Sequence, residues 1–421
     1  MEEIEVTTKP ITLQEPIRDA KQLSVGKRIL LGMQHTFTMF GATVLVPLIT
    51  GLDVSLSLFM AGVCTIICHM ITKKRVPVFL GSSFAFIAPL LAVVEMVNSR
   101  GGTDGLAYAR GGMFVAGTMY LLVATLVYFF GVEKIVSFFP PIVTGPIILV
   151  IGLKLAPTAI GMAAENWLLA IVALVTVIIV NVAGRGFIQV IPVLIGLLAG
   201  YAVAAVTGNV DFSPVVEAAW IGLPKFQLAK FDFQSIMMIA PIAIATIVEH
   251  IGDMIAIGAT VEDDFLKNPG LHRTMIADGG MTMLSTMIGG GAHTTYSENT
   301  GVLALTKVWD PMIMRIAAVF AIILGGVPKL AAIIRTIPSS IVGGISIVLF
   351  GMIAAVGART FVENQVDFTK SKNLIIAALI LVLGLGGASI PVHIGAVSFT
   401  IEGMALAAIV GIVANKAIPE R

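Results

Sequence analysis

Four acidic side chains lie inside stretches that are otherwise apolar: Glu249, Asp253, Asp278 and Glu298. A carboxylate in hydrocarbon costs roughly 3 kcal/mol on insertion scales, so by default it marks the path of a substrate or an ion. Glu249 and Asp253 are four residues apart, which places both on one face of a helix. Two acids on one such face need protons or polar partners, which suits a polar ligand together with a proton-handling group.

The stretch around Glu298 also predicts an interrupted helix. Thr294, Thr295 and Tyr296 favour a short extended run, and Ser297 followed by Glu298 is a helix-start signal. Non-helical backbone at membrane depth is tolerated only where it is buried in protein or lines a cavity. The first N–H groups of a broken helix can then hold polar ligand atoms. A glutamate that reaches the membrane interface from a helix end is the alternative.

Other polar and aromatic residues in apolar surroundings are candidates for contact or support. Gln34 and His35 could bond the ligand or brace its pocket, and Asp278 could link moving parts or pair with a backbone donor. Phe84 offers an aromatic face for stacking a flat heterocycle, although it could equally be filler. Packing is the better interpretation for four further residues, which are Cys64, Cys68, His69 and His293.

Composition places the chain among polytopic membrane proteins. Of its 421 residues, 57% are hydrophobic and 12% are charged, whereas soluble domains are about 25% charged. A net charge of +1 gives no electrostatic argument for binding nucleic acid. We find no phosphate-binding loop, zinc helix or nucleophile elbow, so the sequence predicts neither an enzyme nor a cofactor nor a metal site.

The apolar segments predict about fourteen membrane elements, since each span needs about 20 residues. Two elements, near residues 81–97 and 296–307, are too short or too polar to cross as plain helices. Twelve continuous segments begin near Ile29, Ser55, Gly112, Ile135, Asn166, Phe187, Phe233, Thr274, Met312, Ile337, Leu374 and Phe399. Basic residues in short loops favour a cytoplasmic position for both termini, the first 27 residues forming a polar tail.

The two halves of the sequence resemble each other. At an offset of 215 residues (249 − 34), Gln34–His35 falls on Glu249–His250 and Ser82–Ser83 falls on Ser297–Glu298. Because each half has an odd number of elements, seven, the second half must cross the membrane in the opposite orientation to the first half. Such inverted repeats place the substrate at the midplane, between paired interrupted helices. The sequence therefore predicts an all-α seven-plus-seven inverted repeat, with two interrupted helices and short extended runs at the midplane.

These residues resemble the nucleobase–ascorbate transporter family, and within it the bacterial uracil permeases. The family signature is matched by Glu298–Asn299–Thr300–Gly301 followed by Thr306–Lys307. Gln34–His35, Glu249–His250, the stretch 81–84 and the stretch 268–273 match as well, and the similarity extends from about Ile29 to the C-terminus.

The resemblance implies a core domain and a gate domain, a homodimer, and proton-coupled uptake across the cytoplasmic membrane. The core would comprise residues 28–131 and 232–332, and the gate residues 132–231 and 333–421. Partners would be a nucleobase, protons and membrane lipid, and no nucleic acid.

The resemblance also implies roles for individual residues. Glu249 and Glu298 would accept N–H groups of the base, while amides near Ser83, Phe84, Tyr296 and Ser297 would donate to its carbonyl oxygens and Phe84 would stack. Asp253, Glu249 or His250 would carry the proton. Gln34, His35, Asn299 and Asp278 would support the site.

Two departures from the uracil branch keep alternatives open. Asp253 stands where many uracil permeases have His and is more typical of purine transporters, and Ser297 stands where they have Gly. A uracil:proton symporter is the first expectation and a xanthine-type symporter on the same fold the second. A channel or inorganic-anion carrier of related architecture is the third.

Overall fold

A computed structural model describes residues 15–296, 298–394 and 397–419. In the first half these residues form ten α-helices: α1 Val25–Thr50, α2 Val54–Ile71, α3 Ile87–Ser99, α4 Gly105–Phe130, α5 Val132–Val136, α6 Pro141–Lys154, α7 Ala156–Ala164, α8 Trp167–Ala183, α9 Pro192–Val206 and α10 Ser213–Glu217. The second half adds nine: α11 Phe233–Ile239, α12 Ala243–Val261, α13 Leu271–Met287, α14 Glu298–Thr306, α15 Pro311–Gly325, α16 Pro328–Arg335, α17 Ser339–Glu363, α18 Ser371–Leu385 and α19 Gly403–Ala417.

Among the described residues, six helical stretches are long and apolar enough to cross a membrane. They are α1, α2, α4, α6–α7, α11–α12 and α17, and the pair α15–α16, bent by 79°, gives a seventh if it counts as one span. Shorter apolar helices include α8, α9, α18, α19 and the stretch Phe84–Ser99. The chain is therefore a largely helical, multi-pass membrane protein, as its composition predicted.

Side-chain caps fix where several of these helices begin. Asp53 accepts a hydrogen bond from the N–H of Leu56 at 2.8 Å at the start of α2, and Asp310 does the same for Met312 at the start of α15. Such caps satisfy N–H groups that have no partner inside the helix. Helix α15 also begins with Pro311, whose ring fits the first helical position.

Two three-residue strands, one from each half of the chain, pair with each other. Strand β1 (Leu80–Ser82) pairs antiparallel with β2 (His293–Thr295), and Leu80 lies opposite Thr295. A 3-10 helix, Phe84–Phe86, leads from β1 into α3, and α14 begins at Glu298, three residues after β2 ends. Both predicted interruptions therefore contain a strand followed by a helix start.

A threonine holds each strand from the helix that precedes it. Thr65 on α2 bonds both the N–H and the C=O of Leu80, at 2.9 and 3.4 Å. Thr282 on α13 likewise bonds the N–H and the C=O of His293, at 3.0 and 3.1 Å. The two hydroxyls thus satisfy backbone groups that a three-residue strand pair leaves open.

The helices around the strand pair pack with one another across the two halves of the chain. Helix α4 packs on α13, and α15 packs on α2 and α1. Elsewhere α17 packs on α6, α7 and α8, and α18 packs on α19 and α6. The strand pair contacts α1, α2, α12 and α13, so the first of these groups surrounds it.

The prediction that a helix begins near Phe399 is wrong. Residues 397–402 form strand β4 (Val397–Glu402), which pairs with β3 (Ser389–Ile394), and α19 begins only at Gly403. Many residues in this region are β-branched or aromatic, which favours strands and cannot be distinguished from a short apolar helix by hydropathy alone. The segment predicted near Phe187 starts as a 3-10 helix, Gly186–Val190, before α9.

Candidate functional site

Two carboxylates from different helices meet beside the strand pair. Glu249 is half-buried on α12, and Glu298 is the first residue of α14 and is exposed to open space. Helix α12 packs on α14 and on β2, and the two carboxylates are close enough to interact electrostatically. Oε2 of Glu249 is buried and makes no hydrogen bond to any described residue. The pair can therefore accept hydrogen bonds from a ligand N–H group.

The first half contributes the residues that follow β1. The N–H of Ser83 donates to the carbonyl of Ala292 at 3.0 Å, and its hydroxyl is buried without a partner among the described residues. Phe84 begins the 3-10 helix, where the first N–H groups lack partners within the helix. Its half-buried ring meets the ring of Phe350 edge-on at 6.1 Å.

Tyr296 braces the strand pair in this conformation. Its N–H donates to the carbonyl of Phe79 at 3.0 Å, and its hydroxyl donates to the carbonyl of Ser82 at 3.1 Å. Thr43 on α1 donates to the same hydroxyl at 3.3 Å. Both polar groups of Tyr296 thus have protein partners. Ser297, which sequence analysis also named as a ligand contact, lies outside the described residues.

Asn299 and His35 connect α14 to α1. The side-chain amide of Asn299 donates to Nδ1 of His35 at 3.0 Å and to its carbonyl oxygen at 3.2 Å. Since Nδ1 accepts, the neutral ring carries its proton on Nε2, which is buried and has no described partner. Gln34 is half-buried beside this pair in the chain. The supporting role of Asn299 and His35 stays a prediction.

His250, which follows Glu249 on α12, lies next to a further carboxylate, that of Asp278. Nδ1 of His250 lies 3.0 Å from Oδ2 of Asp278 on α13, an ion-pair distance without hydrogen-bond alignment, and both side chains are 1% exposed. Nε2 of His250 lies 3.0 Å from the hydroxyl of Thr274, and the ring of Tyr120 meets the imidazole edge-on at 6.2 Å. Asp253 is half-buried one turn after Glu249 and interacts electrostatically with Tyr120.

The structure brings together residues for which sequence reasoning had no signal. His250 and Asp278 are 28 positions apart (278 − 250), a spacing with no helical or motif meaning, so their pairing appears only in three dimensions. Thr65, Thr282, Thr274 and Tyr120 were missed, because single hydroxyls in apolar helices usually bond their own backbone. Among the described residues no cluster of three metal-ligating side chains occurs.

Interrupted helices inside a multi-pass membrane protein are typical of transport proteins, whose substrate sites form where such helices break. The family model described as "Permease family", the nucleobase–ascorbate transporter family, matches residues 26–393. The chain therefore belongs to this family, as the sequence motifs indicated.

Curated relatives cover nearly the whole chain. It is 42% identical to the uracil permease of Bacillus caldolyticus, over 97% of this chain and 96% of that protein. It is 41% identical to a probable uracil permease of Haemophilus influenzae, over 97% and 99%, and 40% identical to the uracil permease of Escherichia coli K12, over 91% and 89%.

Solved structures share the fold at low identity. The transmembrane domain of a cyanobacterial bicarbonate transporter, BicA, aligns with a TM-score of 0.67 at 14% identity, covering 96% of this chain and 99% of that one. Murine solute carrier 26 family member A9, an anion transporter in the inward-facing state, aligns with a TM-score of 0.69 at 10% identity, covering 94% and 68%.

Proposed function

We propose that this protein takes up uracil across the cytoplasmic membrane together with protons. The observation that carries the proposal is the placement of Glu249 and Glu298 beside the strand pair, in a chain about 40% identical to proteins named uracil permeases. The ring edge of uracil alternates N–H donors with carbonyl acceptors. Carboxylates next to helix-start amides offer the complementary alternation.

Each residue has a role in this proposal. Glu249 and Glu298 accept the two ring N–H groups, and amides at Ser83–Phe84 and Ser297–Glu298 donate to the carbonyl oxygens. The Phe84 ring packs on the face of the base. Because its own amide and hydroxyl are engaged, Tyr296 holds the strands in register instead of binding uracil directly.

Proton coupling would use the acids of α12. Protonation of Glu249 or Asp253 would accompany substrate binding, since a charged carboxylate is costly in a site that excludes water and holds no substrate. His250 would transmit the change to Asp278, which it already contacts. The protein would not be an enzyme and would need no cofactor.

The proposed mechanism is alternating access in an inverted repeat. Core residues 28–131 and 232–332 would rock against gate residues 132–231 and 333–421, in a homodimer of the inner membrane with both termini in the cytoplasm. One observation supports the repeat: Leu80 lies opposite Thr295, which is its equivalent at the offset of 215.

A xanthine-type symporter is the alternative, favoured by Asp253 in place of the His typical of uracil permeases. Thermal shift of the detergent-purified protein with uracil, thymine, xanthine and hypoxanthine separates the two. A ligand stabilises only the state that it binds. Stabilisation by uracil, lost in Glu298→Ala, is the expected result; stabilisation by xanthine alone would establish the purine alternative. Uracil uptake that survives collapse of the proton gradient would remove the coupling.

A further inference from the structure

An apolar groove opens on the surface of the protein, and none of the residues that line it belongs to the strand pair. It has a volume of about 350 Å³ and lies at the C-terminal end of α4, between that helix, α5 and α19. Its walls come from Val123 and Leu126 on α4, Ile135 on α5 and Ile412 on α19. Leu126 is 44% exposed, so the groove faces what surrounds the protein and not its core.

Two lysines stand at the rim of this groove, each over an aromatic ring. Nζ of Lys134 lies 5.0 Å from the ring centroid of Phe130, and Nζ of Lys416 lies 4.4 Å from that of Phe138. Phe130, Lys134 and Phe138 themselves line the groove. Ser137 connects the two lysines, since its hydroxyl donates to the carbonyl of Lys134 at 2.7 Å and accepts from Nζ of Lys416 at 3.3 Å.

Neither lysine is neutralised within the described part of the protein. No carboxylate there lies within ion-pair distance of Lys134 or Lys416. The rim therefore carries two positive charges whose remaining donors are directed to solvent or to a ligand.

The depth of the groove in the bilayer follows from the aromatic residues around it. Tyr128, Phe129, Phe130 and Phe138 are all exposed at this end of α4, and tyrosine is one of the two residue types that concentrate where the membrane meets water. The lysines then lie at the level of the lipid headgroups, and the apolar walls extend from there along α4 toward the hydrocarbon. Lysines near a membrane surface attract anionic lipids.

We propose that this α4–α19 groove binds an anionic phospholipid. Part of one acyl chain fills the space between α4 and α19, and the phosphate accepts hydrogen bonds from Lys134 and Lys416. Charge complementarity selects the occupant, because a zwitterionic lipid would bring its own positive charge to a rim that already has two.

Thermal shift and native mass spectrometry of the detergent-purified protein test the proposal. Dioleoyl phosphatidylglycerol, dioleoyl phosphatidylcholine and glycerol phosphate are added separately. We expect phosphatidylglycerol to raise the melting temperature more than phosphatidylcholine does and to remain bound in the spectrometer, while glycerol phosphate, which has no acyl chain, has no effect.

Variants locate the effect. Lys134→Gln combined with Lys416→Gln should remove the difference between the two lipids, and Leu126→Trp, at an exposed position, should reduce stabilisation by both. Lys329→Gln is the matched control, because Lys329 also covers an aromatic ring, that of Trp220 at 4.7 Å, but does not line the groove. Equal stabilisation by the two lipids, a difference that persists in the double variant, or an equal response to glycerol phosphate would each overturn the proposal.

Discussion

We call β1 with the 3-10 helix that follows it the first crossing, and β2 with the start of α14 the second crossing. The two crossings share a backbone arrangement but differ in chemistry. In each, a threonine from the preceding helix bonds both backbone groups of one strand residue, and a helix begins shortly after the strand ends. The first crossing continues into Ser83 and Phe84, which are neutral, whereas the second continues into Glu298 and Asn299.

The same contrast holds for the helices that support the crossings. Helix α1 carries Gln34–His35, and α12 carries Glu249–His250 at the equivalent positions. In the proposed site, one half would supply backbone donors, an aromatic face and bracing, and the other would supply the acids. We infer that a repeated scaffold determines where the site is, and that the divergence of the second half determines what the site can bind.

The largest effect expected from this contrast is on uracil binding. Glu298→Ala removes a charged acceptor, which is worth about 1.5–3 kcal/mol and therefore about 10- to 150-fold in affinity. Glu95→Gln is the matched control, because Glu95 is an exposed glutamate on the helix of the first crossing. Titration calorimetry with uracil measures both, and an equal loss in the two variants would contradict the asymmetry between the halves.

Breaking the buried contact behind the acids should mainly cost stability. Asp278→Asn leaves the buried His250 without its carboxylate partner, and a buried polar group left unsatisfied costs about 1–3 kcal/mol. A double-mutant cycle with His250→Gln, followed by thermal melting in detergent, measures the coupling. If the two single losses add, the pair is not coupled.

The close approach between the crossings gives a steric test. A Cβ at Gly81 would lie 2.2 Å from the ring of Tyr296, so Gly81→Ala must displace the ring or separate the strands. We expect a loss of about 1–3 kcal/mol in stability, as for other overpacked sites. The cost of Gly81→Ala should be smaller in a chain that already carries Tyr296→Leu, and an equal cost in both backgrounds would argue against the clash as its cause.

The two threonines test whether the crossings are equivalent in energy. Thr65→Val and Thr282→Val each leave a strand N–H and C=O without the hydroxyl, for a cost of about 1–3 kcal/mol. Similar decreases in melting temperature are expected. A decrease in only one of the two variants would show that the scaffolds are not energetically equivalent.

The smallest effect is expected at the exposed pair between Lys230 and Asp104, 2.5 Å apart. Asp104 raises the pKa of Lys230 through its hydrogen bond and charge. Because the pKa of Lys230 is higher in the folded protein, the stability that the pair contributes is fully present below the ordinary lysine pKa. It is lost as the pH rises through the raised pKa of the folded state. Asp104→Asn should change the melting temperature little at neutral pH, and a large decrease would contradict this.

Sequence alone determined the class and the family, and it singled out the residues at which we propose the site. Apolar segments of spanning length, buried acids and the signature at Glu298–Lys307 are local features, and hydrocarbon penalises charge strongly enough that each acid stands out by itself. The two interruptions were predictable for the same reason, since polar and β-branched residues break an apolar helical pattern.

Only the tertiary structure decided which polar groups are already paired. It joined His250 to Asp278 and Asn299 to His35, and it engaged the amide and hydroxyl of Tyr296, leaving Oε2 of Glu249 without a described partner. It also replaced the expected helix start near Phe399 by strand β4. Hydrogen bonds between distant segments depend on packing geometry within a few tenths of an ångström, and no spacing along the chain encodes that geometry.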